Sequence, residues 1–129
     1  AFHEALRYDM PTQMLGRKTL REVEFHGQTI GADEGVMFLW ASANRDERQF
    51  ERADEFDTTR GTPRILSFGQ GTHMCLGAPL ARLVGNIALA SVLTRLDDIR
   101  LEHDDLRWRR QLIVHGLTEL PVSFAARDE

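Results

Sequence analysis

One cysteine, one tyrosine, one lysine and four prolines are all that this 129-residue chain holds of those residue types. Each scarcity excludes something. A single cysteine, Cys75, leaves no intramolecular disulfide framework. Apolar runs stop after a few residues, so no segment reads as a bilayer span. No charged-then-apolar leader reads as a signal peptide. The formal net charge is −4, opposite to the basic face that bulk nucleic-acid binding needs. Neither a membrane nor a nucleic acid is therefore an expected partner. The length suits one domain or part of one, and a chain of this size buries roughly two-thirds of its surface. Arginine outnumbers lysine fifteen to one, which fits genome composition or a use of guanidinium forks on carboxylates.

Ala1 to Tyr8 reads as the end of a helix that begins mid-pattern without a cap, and Pro11 stops its continuation. Ala1 is therefore expected to be a truncation point. Arg17 to Val36 turns to short strands, with Val23 and Phe25 alternating against charge and Gly27 marking a hairpin turn. Met37 to Ala43 predicts a strand end running into a turn or two of helix. Asn44 to Arg60 has no period, and its isolated Phe50 and Phe56 predict a packed meander. Leu76 to Leu96 is the strongest element: a helix apolar on most sides, with Pro79 in its first turn, and expected to be buried. Ile99–Leu101, Trp108–Val114 and Leu120–Phe124 predict short strands, the last two paired around Gly116. No repeat or low-complexity tract interrupts the chain.

Residues 68 to 82 read Phe-Gly-Gln-Gly-Thr-His-Met-Cys-Leu-Gly-Ala-Pro-Leu-Ala-Arg. Gly69 and Gly71 permit positive φ and a close approach of backbone to a flat ligand. Cys75 precedes the apolar helix, whose positive end and free N–H groups favour thiolate. Gly77 keeps the first turn slim beside that sulfur. Such a loop suits a soft anionic axial ligand for iron. Three other readings stand beside it. A lone cysteine is often a small buried hydrophobe. Zinc would need partners beyond His73, and His3, His26, His103 and His115 show no ligand spacing. A cysteine nucleophile with His73 as base would also favour a helix start, though no orienting carboxylate is evident.

The run resembles the haem-binding signature of cytochromes P450 at Phe68, Gly69, Gly71, His73, Cys75, Gly77, Leu80, Ala81 and Arg82. Nine fixed positions would coincide by chance on the order of once in 10¹¹ windows. The resemblance implies that Cys75 is the thiolate ligand of haem iron and that His73 bonds a haem propionate. Histidine there is similar to the bacterial soluble branch, which implies a cytoplasmic protein. Glu4-Ala5-Leu6-Arg7 resembles the family's Glu-x-x-Arg helix pair, and Arg60 matches the third, structural partner. Arg17 falls where the family places an arginine on a propionate. Met14 and Leu15, and Ile113 and Val114, resemble two segments that line the substrate pocket. Asn44-Arg45-Asp46, Phe50 and Phe56-Asp57 match the family's meander.

The resemblance spans essentially the whole chain. It implies an α+β, mainly α fold: the C-terminal portion of the cytochrome P450 fold, with K helix, small β hairpins, meander, cysteine loop, L helix and terminal β strands. Residues 1–129 would then be the haem-binding portion of a single domain, truncated on its N-terminal side. The implied cofactor is haem b, iron protoporphyrin IX. The implied activity is a monooxygenase that activates dioxygen at iron to hydroxylate a small apolar substrate. Electrons would come from a ferredoxin or flavoprotein docking near Cys75, with Arg64, Arg82 or the Arg107/Arg109/Arg110 cluster assisting. No catalytic residue beyond the haem ligand is expected in the fragment, which would bind haem weakly and be inactive alone. A peroxide-using or isomerising haem-thiolate protein, or a non-catalytic remnant, is the alternative.

Three positions depart from the family pattern. Gly31-Ala32-Asp33 replaces a Pro-Ala-Gly turn, an exchange expected to loosen that hairpin. Ile65 stands where a propionate-binding histidine is frequent, with Arg64 as a candidate substitute. His115 stands where arginine is common before the glycine.

Overall fold

The computed structural model describes residues 1–61 and 64–127. The chain runs α1 (Phe2–Tyr8), β1 (Leu15–Lys18), β2 (Val23–Phe25), β3 (Gln28–Ile30), β4 (Gly35–Phe38) and α2 (Trp40–Ala43). An irregular stretch then leads through a single 3₁₀ turn, Gly71–His73, to α3 (Ala78–Arg95), β5 (Leu96–Leu101) and β6 (Val122–Ala126). The strands form three separate antiparallel pairs, β1 with β4, β2 with β3, and β5 with β6.

The β2–β3 hairpin is nested between β1 and β4. Val23 faces Ile30 and Phe25 faces Gln28, which leaves His26 and Gly27 as a two-residue turn with φ of 49° and 74°. Positive φ at both positions matches the twist of the flanking strands. The Gly31-Ala32-Asp33 turn is not loose. Thr19 ties it, its hydroxyl donating to Gly31 O at 2.6 Å and accepting from Glu34 N at 2.9 Å, while Asp33 N donates to Thr19 O at 2.9 Å.

The buried centre lies between α1 and the meander. Its apolar members are Met10, Phe50, Ala53 and Ala78, and its polar members Glu4, Arg7 and Asn44. Arg7 is wholly buried and uses every donor it has. Two go to Glu4 Oε2 and Oε1 at 2.9 and 2.7 Å. Three go to the carbonyls of Asn44, Ala53 and Glu55 at 3.0, 2.7 and 2.8 Å. A guanidinium removed from water needs that full set, since each donor left unpaired would keep its desolvation penalty. Phe50 is buried with its ring 5.4 Å from the Arg7 guanidinium carbon. Phe56 stays half exposed, edge-on to Tyr8 at 5.6 Å.

Two expectations are corrected. The helix α3 is not buried. Leu80, Leu83, Val84, Ile87 and Leu93 are each more than half exposed, and Ala78 alone among its described residues is buried. Only α1 and β5 pack substantially on it, so most of its apolar surface finds no partner within these residues. Nor does the last strand pair around Gly116. Trp108 makes one bridge, to Leu117, while β6 returns to β5 with Leu96 opposite Ala126 and Leu101 opposite Val122. Ile113 instead serves the segment after α1, its O accepting from Gln13 N at 2.8 Å, while Arg109 N donates within the hairpin to Gly116 O at 2.9 Å.

Candidate functional site

The cysteine loop is closed by its own backbone. Cys75 N donates to Phe68 O at 2.7 Å, Gly69 N to Leu66 O at 2.8 Å and Met74 N to Gly71 O at 3.0 Å. Gly69 and Gly71 hold φ of 70° and 74°, conformations that an L side chain strains to adopt. At Gly69 a Cβ would also come within 3.3 Å of the Trp40 indole. Cys75 is exposed, and its carbonyl accepts from Ala78 N at 3.2 Å as α3 begins. A Cβ on Gly77 would stand 3.8 Å from Cys75 Sγ, so glycine leaves that side of the sulfur open.

The root of the loop is anchored to α1. Asn44 is wholly buried; its Oδ1 accepts from Leu66 N at 2.8 Å and its Nδ2 donates to Ser67 Oγ at 2.9 Å. Ser67 Oγ donates in turn to Leu6 O at 2.7 Å. The Glu4–Arg7 pair lies beneath. Arg7's hydrogen bonds hold the Glu4 carboxyl down at about 2, against the opposing pull of burial and with help from Asp57 N. Arg60 joins from the meander, its Nε 3.5 Å from Glu4 Oε1 and its Nη1 donating to Glu51 O at 2.7 Å.

The structure brings several of the expected site residues to one cavity of about 320 Å³. Arg17, Phe68, Gly69, His73 and Cys75 line it, together with Leu15 and Trp40. Arg17 and His73 also border an adjoining cavity of about 370 Å³. Arg82 lies over the Phe68 ring at 4.8 Å. Other expected residues stand apart. Gly71 has nothing within 4 Å of its would-be Cβ. Met14, Ile113 and Val114 are not among the lining residues of the Cys75 cavity. Arg64 lines a neighbouring cavity with Asp46 and Phe50, so it does not join Arg17 and His73. Among the described residues no group of three or more His, Cys, Asp or Glu side chains could hold a metal ion.

Asn44, Ser67, Trp40 and Gln70 were not singled out by sequence reasoning. Asn44 carried a signal only as part of an Asn-Arg-Asp stretch, because its partners Leu66 and Ser67 are more than 20 residues away.

The residues present fit an iron porphyrin. A soft sulfur, a guanidinium and an imidazole share one cavity with apolar walls from Leu15, Leu66 and Phe68. Those are the donors suited to a metal, to carboxylate edges and to a flat hydrophobic ring. Fold and site define a class: a mixed helix-and-strand scaffold that presents one thiol from a glycine-bearing loop ahead of a long helix.

The family follows from comparison with known proteins. The family model described as Cytochrome P450 matches residues 1–108. The 6-deoxyerythronolide B hydroxylase of Saccharopolyspora erythraea is 42% identical over 124 residues, 95% of this chain and 31% of that protein. The steroid C26-monooxygenase of Mycobacterium tuberculosis is 42% identical over 126 residues, 96% of this chain and 34% of that protein. The crystal structure of P450BioI in complex with an acyl carrier protein ligated with hexadec-9Z-enoic acid superimposes with a TM-score of 0.92. It is 42% identical and covers 95% of this chain and 32% of its own. The chain belongs to the cytochrome P450 family, whose cofactor is haem, and it has part of that family's fold. It spans about a third of the length of the curated relatives it matches.

Proposed function

We propose that residues 1–129 form the C-terminal, haem-binding portion of a single-domain monooxygenase that hydroxylates a small apolar substrate. The observation that carries this reading is the convergence of Cys75, His73 and Arg17 on one cavity. Cys75 would hold the iron of haem b through Sγ, and His73 and Arg17 would bond the propionates. Bound haem supplies dioxygen activation at a thiolate-held iron. The chain's own residues do the rest. Gly77 keeps side-chain bulk off the sulfur, Gly69 leaves room for the Trp40 indole, and Gly71 admits the turn that presents Cys75. Phe68 packs beside it, with Arg82 over its ring. Glu4, Arg7 and Arg60 brace the meander beneath the loop.

An apolar substrate accords with the names of the relatives, which include a steroid C26-monooxygenase and a 6-deoxyerythronolide B hydroxylase. Met14, Leu15, Ile113 and Val114 are the candidate lining residues. A ferredoxin or flavoprotein would deliver electrons over the surface that carries Arg82. The cytoplasmic assignment rests on the likeness of the His73-bearing loop to the bacterial soluble branch; no helix among the described residues is long and apolar enough to cross a membrane. The further reading is that these residues alone hold haem weakly and do not oxygenate, because a hydrophobic cofactor needs apolar walls on both faces.

The test is a ferrous carbon-monoxide spectrum of the longer polypeptide carrying this chain. A long-wavelength Soret band that is lost in Cys75→Ala supports the assignment; a histidine-type band in the unmutated protein overturns it.

A further inference from the structure

The 108–117 hairpin meets the segment after α1 along a seam of backbone bonds. His115 N donates to Pro11 O at 2.7 Å and Gln13 N to Ile113 O at 2.8 Å, with Thr12 bridged to Val114. Beside this seam, away from the cysteine cavity, lies a three-residue cluster. The His115 ring stacks on Trp108, centroids 4.0 Å apart and planes inclined by 14°. Its Nε2 is 3.6 Å from Asp9 Oδ1. Asp9 is the C-cap of α1. One imidazole therefore touches both parts that the seam joins, the hairpin through Trp108 and the helix end through Asp9.

We infer that His115 is a positioning residue that clamps the tip of this hairpin to the Pro11–Gln13 segment. Backbone bonds at a half-exposed seam compete with water, and each contributes only about 1 kcal/mol net. A flat side chain held between an indole and a carboxylate adds contacts that water does not replace. The stack acts on either form of the ring, whereas the attraction to Asp9 acts only on the protonated form. Asp9 is the charged group facing the ring from α1. On its own hairpin Arg109 directs Nε to Leu117 O at 3.3 Å. Resting on the reading that Ile113 and Val114 line the substrate pocket, the clamp sets where those two side chains stand relative to Leu15.

The test uses the full chain with Trp40→Phe, which leaves Trp108 as its one indole. His115→Ala removes the ring stacked on that indole and should shift Trp108 emission. In the same variant the Gln13 amide should exchange with deuterium about fivefold faster. His115→Arg should restore protection, since a guanidinium both stacks and pairs. Unchanged Gln13 exchange in His115→Ala, or no recovery of protection in His115→Arg, overturns the clamp. A second arm compares the affinities of testosterone and hexadec-9Z-enoic acid in the longer, haem-loaded polypeptide with and without His115→Ala. Accelerated exchange with an unchanged affinity ratio upholds the clamp and defeats the lining role of Ile113 and Val114.

Discussion

Asn44 Oδ1 accepts the Leu66 amide at 2.8 Å, so a wholly buried side chain from the start of the meander holds the root of the cysteine loop. The same residue offers its carbonyl to Arg7 at 3.0 Å and its Nδ2 to Ser67. Helix α1, the meander and the loop thus meet at one amide. Cys75 itself contributes no burial to this arrangement; it is presented by it.

Removing that amide should loosen the loop before the fold. Asn44→Ala leaves the Leu66 N–H and the Ser67 hydroxyl short of a partner, at a cost of about 2–3 kcal/mol. Hydrogen exchange at Leu66 and Cys75 should accelerate more than at Arg17 in β1. Uniform acceleration across all three would refute the local anchor.

Breaking the buried ion pair should be more severe. Arg7→Ala strips five hydrogen bonds and leaves the buried Glu4 carboxylate with only the Asp57 amide and Arg60 beside it, a loss of about 3–5 kcal/mol. The exposed pair of Arg48 with Asp46 at 2.8 Å provides the contrast, and Asp46→Asn should leave the urea midpoint close to the parent's.

The same pair dictates an acid response. Arg7 lowers the Glu4 carboxyl from an ordinary 4.5 to about 2. A group whose folded value is depressed stabilises the fold fully above its unfolded value. That contribution fades as pH falls from 4.5 towards 2. The urea midpoint should therefore drop across this window, and Glu4→Gln should flatten that part of the curve while lowering stability above it. An equal acid slope in Glu4→Gln would show that other carboxylates carry the response.

A close approach joins α1 to α3. A Cβ on Gly85 would lie 2.2 Å from Phe2 Cε2, far inside contact distance, so the ring must move. Gly85→Ala should destabilise by about 1–2 kcal/mol. In a Phe2→Ala background the sign should reverse, because alanine is the better helix former by up to about 1 kcal/mol. Additive effects in the double variant would contradict the contact.

Arg17 and His73 should act on cofactor retention rather than on fold. Arg17→Ala and His73→Ala each remove one charged or polar partner of a carboxylate, and each should weaken haem binding by about tenfold to a hundredfold. The urea midpoint of the haem-free chain should stay unchanged. Haem affinity equal to the parent in both variants would remove the propionate assignment.

Local pattern alone carried much of this. Helix α1 and its stop near Pro11, the Val23–Ile30 hairpin about Gly27, and the glycine-flanked Cys75 ahead of α3 are all readable because each depends on neighbours a few residues apart. The Glu4–Arg7 spacing is of the same kind. Which face of α3 is covered, which strand Val122–Ala126 joins, and what Asn44 does depended on residues brought from 20 to more than 30 positions away. Backbone propensity has no term for such contacts. A side chain's helical or strand preference follows from its own chain sterics, whereas its burial and partners follow from which distant surfaces exclude water together. For Cys75 the division is sharp: the expectation of a ligating thiolate came from residues 68–77, and its setting beside Arg17 was decided by a hairpin folding back from more than fifty residues earlier.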